Sequence, residues 1–158
     1  MAGSSFNDWD WYCEDTNWKS KFGNDKGWAF TEDNKTSIIA TGDMSNVTTA
    51  ENMFYYCEGL TSIPKNAFPN LTMGKNMFFT CTSLTNIPEN AFPSLTNGDS
   101  MFEDCEYVQR GALGLYNNWL VGGKVTTHSS TFANCGKETE TGLAELNQIP
   151  WSWGGLAD

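Results

Sequence analysis

Apolar and polar positions alternate in a fixed order through the middle of this chain. Glu51-Asn-Met-Phe-Tyr-Tyr-Cys57-Glu-Gly-Leu-Thr-Ser-Ile-Pro64-Lys-Asn-Ala-Phe68-Pro-Asn-Leu-Thr72 returns as Lys75-Asn-Met-Phe-Phe-Thr-Cys81-Thr-Ser-Leu-Thr-Asn-Ile-Pro88-Glu-Asn-Ala-Phe92-Pro-Ser-Leu-Thr96, and Asp99-Ser-Met-Phe-Glu-Asp-Cys105 opens a third copy. Met53, Met77 and Met101 stand 24 residues apart, as do Cys57, Cys81 and Cys105. A fixed period of this size predicts stacked units, each too small to bury its own apolar face. Within a unit, Leu-Thr-Ser/Asn-Ile reads as a short parallel strand stopped by proline, which cannot donate to a ladder. Asn-Leu-Thr reads as a second extended piece. Asn-Met-Phe-x-x-Cys reads as a helical or 3-10 turn, because its apolar residues share a face only with helix-like winding.

Read backwards and forwards, the period predicts about five coils over residues 36–158. Thr36–Gly59 is a degenerate first coil, and Leu60–Ser83 and Leu84–Tyr107 are the regular ones. The fourth coil begins at Val108 and carries about six extra residues around Gly114–Gly123. A further insertion lies around Lys137–Ala144, before Leu146-Asn-Gln-Ile-Pro150 repeats Leu84-Thr-Asn-Ile-Pro88. The expected fold is therefore a repeat solenoid of short parallel strands and short helical turns. Both insertions, Leu115–Gly123 and Lys137–Ala144, are expected to bulge as loops on its rim. Exposed loops on a rigid scaffold are where recognition usually sits, which makes Tyr116, Asn117, Asn118 and Trp119 candidate partner contacts. For Trp119, folding back to seal the last coil is the rival expectation.

Stacking puts equivalent residues over one another. The expected core columns are Phe54, Phe78, Phe102 and Phe132; Phe68 and Phe92; Leu60 and Leu84; Ile39, Ile63, Ile87 and Ile149; and Cys57, Cys81, Cys105 and Cys135. One thiol per coil cannot converge on a metal ion, which needs four ligands around a point. The cysteines are read as small buried filler. Parallel Cβ vectors disfavour disulfides between neighbours.

Residues 1–35 belong to no repeat. They hold Trp9, Trp11, Trp18 and Trp28 among Asp, Asn and Gly. Two roles fit this aromatic-rich segment. One is an N-terminal cap over the open end of the stack. The other is a docking segment, with Trp9, Trp11 and Trp18 as contacts, since tryptophan is enriched at interface hot spots.

Charge narrows the partners. Nine Lys and Arg stand against nineteen Asp and Glu in 158 residues, a formal net charge of −10. Such a surface repels phosphate backbones and excludes nucleic acid as the expected partner. No apolar run is long enough to cross a bilayer, and the first residues show neither a basic start nor an apolar signal core. His128 is the sole histidine, and a Cys–His pair would need an exposed Cys135. Asp99, Glu103, Asp104 and Glu106 form an acidic cluster without the residue order of an EF-hand. No cofactor, metal or catalytic group is expected. Three Asn-x-Thr triplets, at Asn34, Asn46 and Asn70, matter only in a eukaryotic secretory route.

The unit Met-Phe-x-x-Cys-x-x-Leu-Thr-x-Ile-Pro-x-Asn-Ala-Phe-Pro resembles the BspA-like leucine-rich repeats of surface proteins from gut anaerobes and of their phages. The resemblance runs from about Thr36 to Trp153 and is densest over residues 51–105. It implies a leucine-rich-repeat-like solenoid used for adhesion or protein recognition, without catalysis. The implied partner is a virion subunit, a host-surface protein or a surface glycan. The implied setting is a phage virion, as a capsid decoration, fibre or tail protein. The alternative is a fragment of a bacterial cell-surface adhesin.

Overall fold

The structure is a computed structural model that describes residues 28–30, 38–40, 47–63, 65 and 68–158. A short antiparallel pair, β1 (Trp28–Phe30) and β2 (Ile38–Ala40), places Trp28 opposite Ala40 and Ala29 opposite Ile39. Ile39, expected in a parallel column with Ile63 and Ile87, is thus paired antiparallel. The pair straddles the boundary expected between residues 35 and 36.

The expected leucine-rich-repeat-like solenoid of parallel strands does not form. Among the described residues from 47 to 158 there is no strand and no sheet. Parallel contacts there are isolated single bridges: Thr49 with Met73, Met73 with Asn97, Asn97 with Thr127, Asn86 with Arg110, and Pro150 with Ala157. The only α-helices described are two short ones, α1 (Ala112–Gly122) and α2 (Glu140–Leu146), and both lie after the clean repeats.

The regular bonding between units is carried instead by the Asn-Met-Phe-x-x-Cys segment, which is neither helix nor strand. It is a run of tight turns, closed by Met53 N–H to Ala50 O, Tyr55 N–H to Asn52 O and Cys57 N–H to Phe54 O. Asn52 (φ 61°) and Tyr56 (φ 59°) sit third in the first and last of these, the left-handed position of a type II turn. Asn76 and Thr80, Ser100 and Asp104, and Ser130 and Asn134 repeat the same conformation. This backbone turns every second N–H toward the next unit. The N–H groups of Ala50, Asn52, Phe54 and Tyr56 donate to the carbonyls of Met73, Lys75, Met77 and Phe79. Gly74, Asn76, Phe78 and Thr80 donate in the same way to Asn97, Asp99, Met101 and Glu103. Gly98, Ser100, Phe102 and Asp104 donate to Thr127, Ser129, Thr131 and Ala133. The units are therefore hydrogen-bonded as regularly as strands would be, through turns.

Side chains fill the space between these rungs. Phe54, Phe78, Phe102 and Phe132 stack with centroids 5.4, 5.3 and 5.9 Å apart and planes within 11° of parallel. Phe68 stacks on Phe92 at 6.2 Å. Both have left-handed backbones just before proline (φ 55° and 51°). Leu60, Leu84, Ile63, Ile87, Ile149, Cys57, Cys81, Cys105 and Cys135 are buried with them. A polar row runs alongside. The Thr72, Thr96 and Thr126 hydroxyls donate to the carbonyls of Thr48, Thr72 and Thr96, at 3.1, 3.0 and 3.4 Å.

The two insertions fold as helices rather than rim loops. In α1 the buried residues are Ala112, Leu115, Tyr116 and Trp119, an i, i+3, i+4, i+7 stripe. The helix starts from Gly111 at φ 105°, where a Cβ would run into the carbonyl of Ile87, so only glycine fits. α2 starts from Thr139, whose hydroxyl accepts the N–H of Gly142 at 2.9 Å and donates to the carbonyl of Val108 at 2.9 Å. A 3-10 helix, Trp151–Trp153, ends the stack. Its Trp153 carbonyl accepts the N–H of Phe132 at 2.8 Å.

Candidate partner-binding surface

Of the contacts expected from sequence, Trp9, Trp11 and Trp18 lie outside the described residues. Asn117 and Asn118 are exposed on α1. Tyr116 and Trp119 are not, with only 9% and 5% of their surface accessible. Their expected exposure is corrected by the helix, which turns both toward the core. Trp119 lies 6.0 Å from Phe132 and 6.4 Å from Trp153, centroid to centroid, and its indole N–H donates to the Phe92 carbonyl at 3.1 Å. Tyr116 meets Trp153 edge-on at 5.2 Å. These rings close the stack.

Asn118 has a different role. Its amide donates to the carbonyl of Glu89 at 2.8 Å and to Oδ1 of Asn90 at 3.0 Å, tying α1 to the Pro88–Ala91 corner of the preceding unit. Two clefts flank that corner. One, of about 400 Å³, has Ile63, Ile87 and Pro88 as apolar lining, with Asn86, Lys65 and Arg110 around it. The other, of about 320 Å³, lies beside α1 and is lined by Pro93, Leu95, Trp119, Val121, Lys124 and Val125. Glu89 and Asn90 line both. Val121 is 90% exposed and Leu120 next to it is more than half exposed, so an apolar edge of α1 stands beside the second cleft.

The start of α1 is fixed from far along the chain. Oε1 of Glu145 accepts the N–H groups of Gly111 at 3.2 Å and Leu113 at 3.0 Å. Helix N-termini leave such donors without intrahelical partners, and a carboxylate there is favoured by both hydrogen bonding and the helix dipole. Sequence reading missed Glu145, because a cap supplied from another helix has no local spacing signal.

The groups that carry chemistry elsewhere are occupied. The His128 ring lies flat on Trp153, 3.9 Å between centroids and 1° from parallel, with Nδ1 3.1 Å from the carbonyl of Ser152. Cys81 and Cys105 donate their thiol protons to the carbonyls of Phe54 and Phe78, at 3.2 and 3.1 Å. Burial, reinforced by Cys105, pushes the Cys81 thiol well above the ordinary range, and burial does the same to Cys135. Cys57 differs from the other three. It is disulfide-bonded, which corrects the expectation of a free thiol there. In the acidic cluster, Asp99 accepts the N–H of Ser129 at 2.7 Å, Asp104 accepts from Asn134 at 2.8 Å, and Glu106 pairs with Lys137 at 3.0 Å. Among the described residues no three His, Cys, Asp or Glu side chains converge as a metal site. No described helix is long and apolar enough to cross a membrane.

No family model, curated protein or solved structure matches this chain.

Proposed function

We propose that the chain is a non-enzymatic recognition module that binds a protein partner through the two clefts at the Glu89–Asn90 corner. The observation that carries this reading is the Asn118 tie. It fixes an exposed apolar helix edge beside two clefts on a stack held together by repeated backbone hydrogen bonds. Concave sites with apolar linings and a few fixed polar groups are the usual form of a binding site. The occupied state of His128 and the raised thiols of Cys81 and Cys135 argue against a nucleophile at neutral pH.

The setting we propose is attachment at a phage particle. Mass spectrometry of purified particles against cell-envelope fractions tests that setting. The contact face is tested separately with Val121→Asp, which places a charge at a position open to solvent. A variant with unchanged melting that no longer binds the particle or envelope fraction retained by the parent supports the face. Unchanged binding removes it.

A further inference from the structure

Charge is distributed unevenly around the Glu89–Asn90 corner. The whole chain carries a formal charge of −10. Yet among the described residues the two clefts are lined by three cations, Lys65, Arg110 and Lys124, against a single carboxylate, Glu89. The Glu89 carboxyl lies against Gly114 of α1, where a Cβ would collide with it. Among the described residues none of the three cations makes an ion pair, whereas Lys137, outside the clefts, is paired with Glu106. A guanidinium presents a fork of donors that matches a carboxylate, and here it stands beside an Asn86 amide and the apolar lining of Ile63, Ile87 and Pro88.

The second cleft asks for something else. Its walls are Pro93, Leu95, Val125 and the edge of Trp119, with Val121 standing out beside it. Sugars bind proteins largely by lying on open aromatic faces. Trp119 offers none, because it is nearly fully buried between core rings. An aliphatic side chain fits such walls better than a sugar ring does.

From these two halves we infer that the double cleft takes an acidic peptide segment of a partner protein. One aliphatic side chain sits beside Trp119 and Val121, and an Asp or Glu carboxylate sits beside Arg110 and Lys65. The inference rests on the recognition reading above and gives it a ligand class. A peptide carries both groups on one backbone, and Glu89 and Asn90, shared by the clefts, mark where that backbone crosses. The overall negative charge of the chain does not forbid this. Charges more than about 8 Å away are screened at physiological salt, while a carboxylate in the cleft meets the cations at contact distance.

The test uses fluorescein-labelled hexapeptide pools with one leucine and one Asp at varied separation. Matching pools carry Asn or Lys in place of Asp, and an oligogalacturonate serves as the glycan probe. Polarisation titrations compare the parent chain with Arg110→Glu, Arg110→Gln and Val121→Asp, each first checked for unchanged melting. Arg110 is exposed, so these changes leave the core intact. The Asp pool is expected to bind at least about tenfold more tightly than the Asn pool, a difference typical of one charge-assisted contact. Arg110→Glu should abolish that preference and shift it toward the Lys pool, with Arg110→Gln in between. Equal binding of all pools, weakened alike by Val121→Asp, would leave the contact face standing and overturn the acidic preference. Preferential binding of oligogalacturonate, or no binding by any peptide pool, would overturn the inference outright.

Discussion

The indole N–H of Trp119 donates to the carbonyl of Phe92 across 3.1 Å, and that bond sets Trp119 in the column that Phe68 and Phe92 begin. Phe92 leans on Phe102 at 6.4 Å, and one unit further on Trp119 leans on Phe132 at 6.0 Å. α1 thus replaces the Ala-Phe-Pro corner of a regular unit and supplies its aromatic from a helix. Truncating Trp119 to Ala is expected to cost about 3–5 kcal/mol in urea unfolding, the range for a large buried aromatic. Trp119→Phe keeps a ring but removes the donor, and is expected to cost about 1–2 kcal/mol. If Trp119→Ala melts like the parent, the ring does not seal the stack.

How much of this could be read in the sequence depends on the element. The 24-residue period brings Phe54, Phe78 and Phe102 to equivalent positions, and their rings stack. The conformation between them was not legible. Apolar residues spaced as in Met-Phe-x-x-Cys suit helix-like winding, but each unit breaks it at two left-handed residues, Asn52 and Tyr56 in one and Asn76 and Thr80 in the next. Only the asparagines are a recognisable signal for positive φ. The strand expectation failed because Leu-Thr-x-Ile and Asn-Leu-Thr meet the next unit through single bridges, while the regular ladder runs through the turns. α1 did leave a trace, since Ala112, Leu115, Tyr116 and Trp119 follow helical spacing. Treating that stretch as an insertion into a repeat hid it. The Arg110 cleft left no trace, because Lys65, Arg110 and the Glu89 corner come from three different units.

The buried thiols make stability depend on pH. The folded state raises the Cys81 and Cys135 values, so it holds their protons more tightly than the unfolded chain does. Their stabilising contribution is fully present below the unfolded thiol value, about 8.5, and is lost as pH climbs above it. The slope approaches about 1.4 kcal/mol per pH unit for each thiol that ionises only on unfolding. Urea midpoints are therefore expected to fall between about pH 8.5 and 10. Tyrosines and lysines titrate nearby, so the Cys81→Ala, Cys135→Ala double variant is the reference. It should start less stable and lose less over that window. Identical slopes for the two proteins would remove the thiols from the account.

Glu145 links the two helices, and its removal tests whether α1 depends on α2. Glu145→Ala strips both N–H groups, Gly111 and Leu113, of their acceptor. The expected cost is about 1–2 kcal/mol, that of a lost N-terminal cap. Glu145→Gln keeps the carbonyl acceptor and should recover most of it. Hydrogen exchange should localise the change, with faster exchange at Gly111 and Leu113 and little effect at Phe78 or Phe102. A loss spread evenly over the chain would mean that Glu145 acts on the whole stack rather than on the start of α1.

Thr80 is a place where the sequence works against the fold. It holds φ at 60°, a conformation that a β-branched residue adopts only at a cost, and its hydroxyl is buried without a hydrogen-bond partner. The equivalent residue in the last unit is Asn134, which tolerates the left-handed region and uses its side chain to reach Asp104. Both faults can be repaired separately. Thr80→Val keeps the branched side chain and the strain but removes the hydroxyl. Thr80→Gly removes both, though it adds backbone entropy to the unfolded chain. We expect Thr80→Gly to stabilise by about 1 kcal/mol, the scale of relieving a left-handed non-glycine residue, which raises the melting temperature by about 2–4 °C in a chain of this size. Thr80→Val should fall between the parent and Thr80→Gly. If Thr80→Gly instead destabilises, the N–H of Thr80 to the carbonyl of Glu103, at 2.9 Å, must depend on the side chain to hold its direction. The turn ladder would then be a product of packing rather than of backbone conformation.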